Sequence, residues 1–188
     1  EVHRHPPETP VEILWTDGRW MRVTERRTAE GGYVGVWTDI TALKSAKSRL
    51  QEAIEGIPEG FALLDSEMRF VIFNRSWLEL HPLSAPAVRI GGSYEEMLRY
   101  GAKRGEFPGI SEAEVEPFVK LRMQQLRSER GFSGESAFAD GRWVLAGHRR
   151  TPGGDYVAVR TDITAQKQRE RELAVLLGEL TRSQRGTE

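Results

Sequence analysis

Two stretches of the chain alternate apolar and polar residues at a period of two, and each runs straight into a stretch with helical spacing. The first predicts strands over Val11–Trp15, Arg19–Arg26 and Tyr33–Asp39. The second predicts them over Gly134–Ala139, Arg142–Arg149 and Tyr156–Asp162. They are one pattern written twice, 123 residues apart and without a gap. Asp17-Gly18-Arg19-Trp20 returns as Asp140-Gly141-Arg142-Trp143, Arg26-Arg27-Thr28 as Arg149-Arg150-Thr151, and Thr38-Asp39-Ile40-Thr41-Ala42 as Thr161-Asp162-Ile163-Thr164-Ala165. A repeat has to be settled first because it decides the fold. Only its back end occurs twice, so residues 1–40 are expected to be the tail of a module whose front lies outside the chain, with the second copy whole. Asp140-Gly141 predicts a two-residue hairpin turn. Thr151-Pro152-Gly153-Gly154, with Pro then Gly at its centre, predicts a type II turn.

Beyond Ile40, the residues Leu43, Ala46, Leu50, Ala53 and Ile57 keep a 3-4-3-4 spacing; the equivalent positions are Gln166, Arg169, Leu173, Leu176 and Leu180. That is the seam of a two-stranded coiled coil, or else the inner face of a helix lying on its own domain. The second segment, with no domain after it, favours the coiled coil. Between the copies, Gly60–Asp65 and Phe70–Asn74 read as short strands joined by Ser66-Glu67-Met68-Arg69. Arg75–Leu80 is a helical turn stopped by His81-Pro82, and Ser93–Gly101 has helical spacing. Ser111 with Glu114 makes a capping box for a longer helix striped by Val115, Phe118, Val119, Arg122, Met123 and Leu126, with Pro117 acceptable near its first turn. Two strands, helices, then three strands and an exit helix describe an α+β domain, a five-stranded antiparallel sheet with helices on one face.

Composition removes several functions. Lys+Arg 27 against Asp+Glu 28 leaves a net charge of −1, no field to draw in nucleic acid or an anionic membrane. With no cysteine there are no disulfides, thiolate metal sites, cysteine nucleophiles or sulfur-bonded chromophores. No apolar run approaches the ~18–20 residues of a membrane span, and no signal peptide is visible. A chain beginning at Glu1 is expected to be an excised piece, and an anchor of the parent would lie outside it. His3 and His5 sit in a Pro-rich tail, His81 at a helix end and His148 on a strand, with no i, i+4 pair. Of the adjacent arginines Arg26/Arg27 and Arg149/Arg150, at most one of each pair points inward, and solvent-facing charge is the plainer account. No catalytic constellation and no metal site is expected.

The residues Gly60-Phe61-Ala62-Leu63-Leu64-Asp65, Val71-Ile72-Phe73-Asn74-Arg75-Ser76-Trp77, Asp140-Gly141-Arg142-Trp143 and Asp162-Ile163-Thr164 give this chain a resemblance to PAS domains, the small sensor modules of bacterial signalling proteins such as sensor histidine kinases. The resemblance covers roughly residues 50–165, and residues 11–40 resemble the last three strands of a preceding PAS domain. It implies a PAS fold flanked by coiled-coil-like linker helices. The expected division is a partial domain over 1–40, a helical linker over 41–57, a complete domain over 58–163, and a signalling helix with tail over 164–188. Asp162-Ile163-Thr164, and Asp39-Ile40-Thr41 in the first copy, resemble the D-I-T signature where the last strand becomes the signalling helix. In physical terms, Asp162 accepts backbone N–H bonds, Thr164 caps the helix and Ile163 plugs the junction.

PAS domains often hold a ligand between sheet and helices, which here implies a lining drawn from Phe61, Leu63, Phe73, Trp77, Met97, Phe118, Trp143 and Leu145; in the plainer and preferred reading these fill the core. The longer helix, Ser111–Arg130, lacks the axial His of haem-binding relatives, and the flavin-adduct cysteine is missing too. No cofactor is expected, which leaves room for a non-covalent flavin or other small ligand. The 3-4-3-4 seam predicts a parallel homodimer joined along Leu43, Ala46, Leu50, Ala53, Ile57, Leu173, Leu176 and Leu180. The resemblance implies a cytoplasmic setting and a downstream effector in the same chain, first a histidine kinase, then a diguanylate cyclase or phosphodiesterase. The alternative is a ligand-free scaffold that only dimerises and spaces its neighbours.

Overall fold

The computed structural model of the chain describes residues 9–128 and 131–185, which places His3 and His5 outside the described residues. It divides into two compact units, Glu1–Ala53 and Ile54–Glu188. The first holds an antiparallel meander, β1 (Val11–Leu14), β2 (Trp20–Arg27) and β3 (Tyr33–Asp39), followed by α1 (Thr41–Glu55). The second holds β4 (Gly60–Leu64), β5 (Phe70–Phe73), α2 (Arg75–Leu80), α3 (Tyr94–Ala102), α4 (Val115–Arg127), β6 (Phe132–Ala137), β7 (Trp143–Arg150), β8 (Tyr156–Asp162) and α5 (Thr164–Arg185).

The second unit is a five-stranded antiparallel sheet in the order β5-β4-β8-β7-β6. Period-two alternation decides what each strand buries. Ala62 and Leu64 of β4, Val144 and Ala146 of β7, and Tyr156 and Ala158 of β8 are buried, and the residues between them are half-buried or exposed. The buried face meets Trp77 of α2, Tyr94, Met97 and Leu98 of α3, and Val115, Val119, Met123 and Leu126 of α4. Phe70 meets Trp77 and Tyr94 with ring centroids 6.1 and 6.0 Å apart. Asn74, also buried, fixes where helix and sheet meet. Its Oδ1 accepts from Phe61 N (2.8 Å) and caps α2 through Trp77 N (3.0 Å), while Nδ2 donates to the carbonyls of Ile54, Ile57 and Glu59. The Ser111–Glu114 capping box opens a short 3-10 turn that leads into α4, where Pro117 falls in the first turn.

The hairpins differ from the sequence expectation in one consistent way. Five turns share a single design: the first residue's carbonyl accepts from the fourth N–H, its own N–H donates to the fifth carbonyl, and the fourth residue takes positive φ. This matches a type I turn closed by a G1 bulge. The fourth residues are Gly18, Gly31, Met68, Gly141 and Gly154. So Asp140-Gly141 is not the centre of a two-residue turn. Nor is Thr151–Gly154 a type II turn, since positive φ falls on Gly154 (95°) and not on Gly153. Met68, at φ 63°, is the one non-glycine residue in this region among those described. The conformation costs about 1–2 kcal/mol for an L-residue. Complete burial of the Met68 side chain, which is 1% exposed, returns about 2–3 kcal/mol, so burial wins.

Candidate functional site

Between the inner face of β6–β8 and the helices lies a cavity of about 30 Å³, and its walls are more polar than the sequence suggested. Arg160 of β8 is buried there. It donates to Val159 O (2.9 Å), Gly147 O (3.4 Å) and Tyr94 Oη (2.8 Å), with His148 Nε2 2.7 Å away and the Trp77 ring 4.9 Å from its Cζ. Every one of these partners is neutral. Arg122 of α4 borders the same space and bonds Ser136 Oγ (2.9 Å) and Gln125 Oε1 (3.1 Å), again neutral groups. Burial, and secondarily the charge of Arg160, holds the Arg122 guanidinium below its ordinary value.

Two histidines in the wall are kept neutral. Burial first, then the charge of Arg160, pushes His81 down to about 3 and His148 down to about 2. Arg160 can only donate, so His148 Nε2 accepts and its proton sits on Nδ1. His81 Nδ1 lies 2.9 Å from Trp77 O, which places the His81 proton on that nitrogen. Glu106, the one buried carboxylate among the described residues, accepts from the Ser84 hydroxyl and from the N–H groups of Leu83 and Ser84; burial raises its pKa.

None of the eight residues expected to line a pocket borders this cavity. Phe61, Leu63, Trp143 and Leu145 alternate with the buried residues of β4 and β7 and so sit on the sheet's other face. Trp77 and Met97 are filled core, and Phe73 and Phe118 pack against it. The lining came instead from Arg160, His148, His81, Tyr94, Arg122 and Ser136. Parity contained the signal: Arg160 shares an inward register with Tyr156 and Ala158, and His148 with Val144 and Ala146. A polar residue at an inward strand position is the unusual one. Arg26, Arg27, Arg149 and Arg150 are exposed.

The strand-to-helix junction is built from the predicted residues. Asp162 Oδ1 accepts from Thr164 N (2.9 Å) and Thr164 Oγ1 (2.5 Å), Ile163 is buried, and Ile163 N donates to Trp143 O (2.8 Å). One role differs from expectation. Thr164 is the first helical residue, and its hydroxyl accepts from Trp143 N (3.0 Å) instead of capping α5; the helix's first carbonyl is that of Ile163, bonded by Lys167 N (2.9 Å). The hydroxyl therefore ties the helix to β7. The first unit repeats this bond for bond: Thr41 N to Asp39 Oδ1 (2.9 Å), Trp20 N to Thr41 Oγ1 (2.9 Å), Ile40 N to Trp20 O (2.8 Å), Lys44 N to Ile40 O (2.9 Å). Lys44 pairs with Glu12 as Lys167 does with Glu135, each lysine over the adjacent Trp20 or Trp143 ring.

Of the expected dimer seam, Leu43, Ala46, Leu50, Ala53, Leu173 and Leu176 are exposed along α1 and α5. Ile57 lies past the end of α1 and is half-buried; the Leu180 side chain falls outside the described residues. Among the described residues no His/Cys/Asp/Glu cluster is arranged to hold a metal ion, and no helix is long and apolar enough to cross a membrane.

A family model described as the PAS fold matches residues 54–171, and the chain belongs to that family. The "Non-motile and phage-resistance protein" of Caulobacter vibrioides is 28% identical over 174 residues, 87% of this chain; the chain spans 18% of that relative's length. Among solved structures, the PAS domain of Bordetella pertussis BvgS is 17% identical with a TM-score of 0.46, over 72% of this chain and 98% of that one. The PAS domain of an HTR-like protein from Haloarcula marismortui is 19% identical with a TM-score of 0.41, over 65% and 95%. A domain of a sensory box sensor histidine kinase/response regulator from Geobacter sulfurreducens is 14% identical with a TM-score of 0.39, over 64% and 96%.

Proposed function

We propose that this chain is the sensory and relay part of a multidomain bacterial signalling protein, working in the cytoplasm as a homodimer. The complete domain takes in a signal at its cavity and passes it through Asp162-Ile163-Thr164 into α5. That helix carries it to an effector in the same chain, a histidine kinase in the first instance. The observation that carries this reading is on one strand. Arg160, buried in the cavity, is two residues from Asp162, which holds the start of α5. A shift of β8 at Arg160 therefore reaches the helix within about 7 Å of extended chain. The exposed leucines of α1 and α5 favour a parallel pairing that sets two effectors side by side, and the first unit reads as the end of a preceding PAS domain.

The small volume of the cavity favours one second reading, a scaffold that transmits no ligand signal. Distance measurement between nitroxides at position 175 of α5 tests the proposal. One short interspin distance that shifts with a cavity ligand supports relay through a parallel dimer. A dimer distance that no cavity ligand moves supports the scaffold, and a monomer at tens of micromolar contradicts both. Leu173→Glu with Leu176→Glu should abolish the short distance, since two charges would be buried without partners.

A further inference from the structure

Charge and hydrogen-bond inventories at the cavity are both out of balance, in the same direction. Arg160 is 5% exposed and Arg122 is half-buried, both border the same space, and neither has a carboxylate within ion-pair distance among the described residues. Glu106 does not supply one, because it is held by Leu83 and Ser84. The donors are in surplus too. With Nε2 of His148 accepting from Arg160, its Nδ1–H is buried without a partner. A buried cation is costly unless a counter-charge faces it, and a buried donor is costly unless something accepts from it. Water can accept this proton but cannot neutralise the guanidiniums. One bound anion would do both.

We infer that this cavity binds a small monovalent anion, a halide or a short carboxylate, held by Arg160 and Arg122 with His148 Nδ1–H as a further donor. A space of about 30 Å³ sets the size: one water needs roughly 10–15 Å³ on this measure, so chloride, formate or acetate fits and a nucleotide, sugar or long acyl chain does not. The inference deepens the sensor reading by naming the class of its ligand, and it rests on this cavity being the input.

Calorimetry and thermal unfolding of the whole chain test it, in chloride-free buffer with ionic strength held by sodium gluconate, an anion too large to enter. Sodium formate, sodium acetate and sodium chloride are titrated separately. Saturable one-to-one binding that raises Tm is expected from at least one; a response to chloride alone identifies a halide site, and a stronger response to formate or acetate a carboxylate site. Arg160→Met should weaken binding about 100-fold. It should also fold at least as stably as the parent in gluconate, because it removes a charge that lacks a counter-charge. His148→Phe keeps a ring to stack on Phe132 and removes the donor; about tenfold weaker binding is expected. No saturable response to any of the three salts overturns the inference and leaves the cavity to water, as does a response that gluconate or Arg160→Met reproduces. Anion binding that leaves α5 unmoved keeps the site and counts against the relay. A neutral ligand that moves α5 where no anion binds keeps the relay and removes the site.

Discussion

The two copies of the repeat share their corners and their exits but not their interiors. β1–β3 and β6–β8 turn on glycines at matching positions, Gly18 and Gly141, Gly31 and Gly154, and each meander ends in the same Asp-Ile-Thr lock with matching bond lengths. Inside, they diverge. Trp37 stands where Arg160 does, Glu25 where His148 does, and Ile13 where Ser136 does. β3 is exposed along its whole length, whereas β8 alternates buried and half-buried, because β8 has β4 bonded to its other edge and helices over its inner face. What stays the same is the geometry of the strand-to-helix junction; what changes is the chemistry of the inward strand positions. That division fits the relay proposed above.

Acid gives the sharpest contrast. His148 is held at about 2 and His81 at about 3, both below the unfolded value of 6.5. An unfolded chain therefore takes up these protons first. Their contribution to stability is complete above pH 6.5 and is lost as pH falls toward 3, a loss of about 4 kcal/mol between pH 7 and pH 5 for the pair. Urea unfolding at the two pH values reads it, and His148→Phe should halve the loss. Residues 9–53 contain no histidine, so amide exchange there should not accelerate in the same range; equal acceleration in both units would break the comparison.

Next in size is Ile163→Ala, expected to cost about 3 kcal/mol by opening a cavity at the buried plug. Ile40→Ala should loosen its own junction alike, seen as faster exchange at Trp20 N–H. Turns come third. Gly141→Ala should cost about 1–2 kcal/mol for conformation alone, since a Cβ there meets nothing within 4 Å. Met68→Gly should also destabilise, by about 1 kcal/mol, because the buried side chain outweighs the relieved strain. The smallest effect is at the hydroxyls: Thr164→Val and Thr41→Val should each cost about 1 kcal/mol and expose Trp143 N–H and Trp20 N–H respectively to exchange. Unequal effects of that pair would show that the locks are alike in shape but not in strength.

The sequence made the order of elements legible because period-two and helical spacings are local properties. The D-I-T junction was legible because it is written twice. Thr164's bond to β7 was not, since it depends on which strand lies beside the helix start, and residue spacing carries no such information. The turn type was not legible because Asp-Gly and Pro-Gly suit more than one hairpin, and hydrogen-bond register, not composition, decides where positive φ falls. The cavity was the least legible part. Aromatic and aliphatic residues mark the core and the outer sheet face, while Arg160 and His148 show themselves only through the inward parity they share with Tyr156, Ala158, Val144 and Ala146.

Amide hydrogen exchange at Trp143 and Thr164, with and without a saturating cavity anion, measures the link between Arg160 and α5 most directly. The two amides make the bonds that hold the helix to β7 and to Asp162. Binding should change protection at both, and Arg160→Met should abolish the change while leaving Trp20 and Thr41 unaffected. Heat of binding at the cavity with unaltered protection at Trp143 and Thr164 would contradict it.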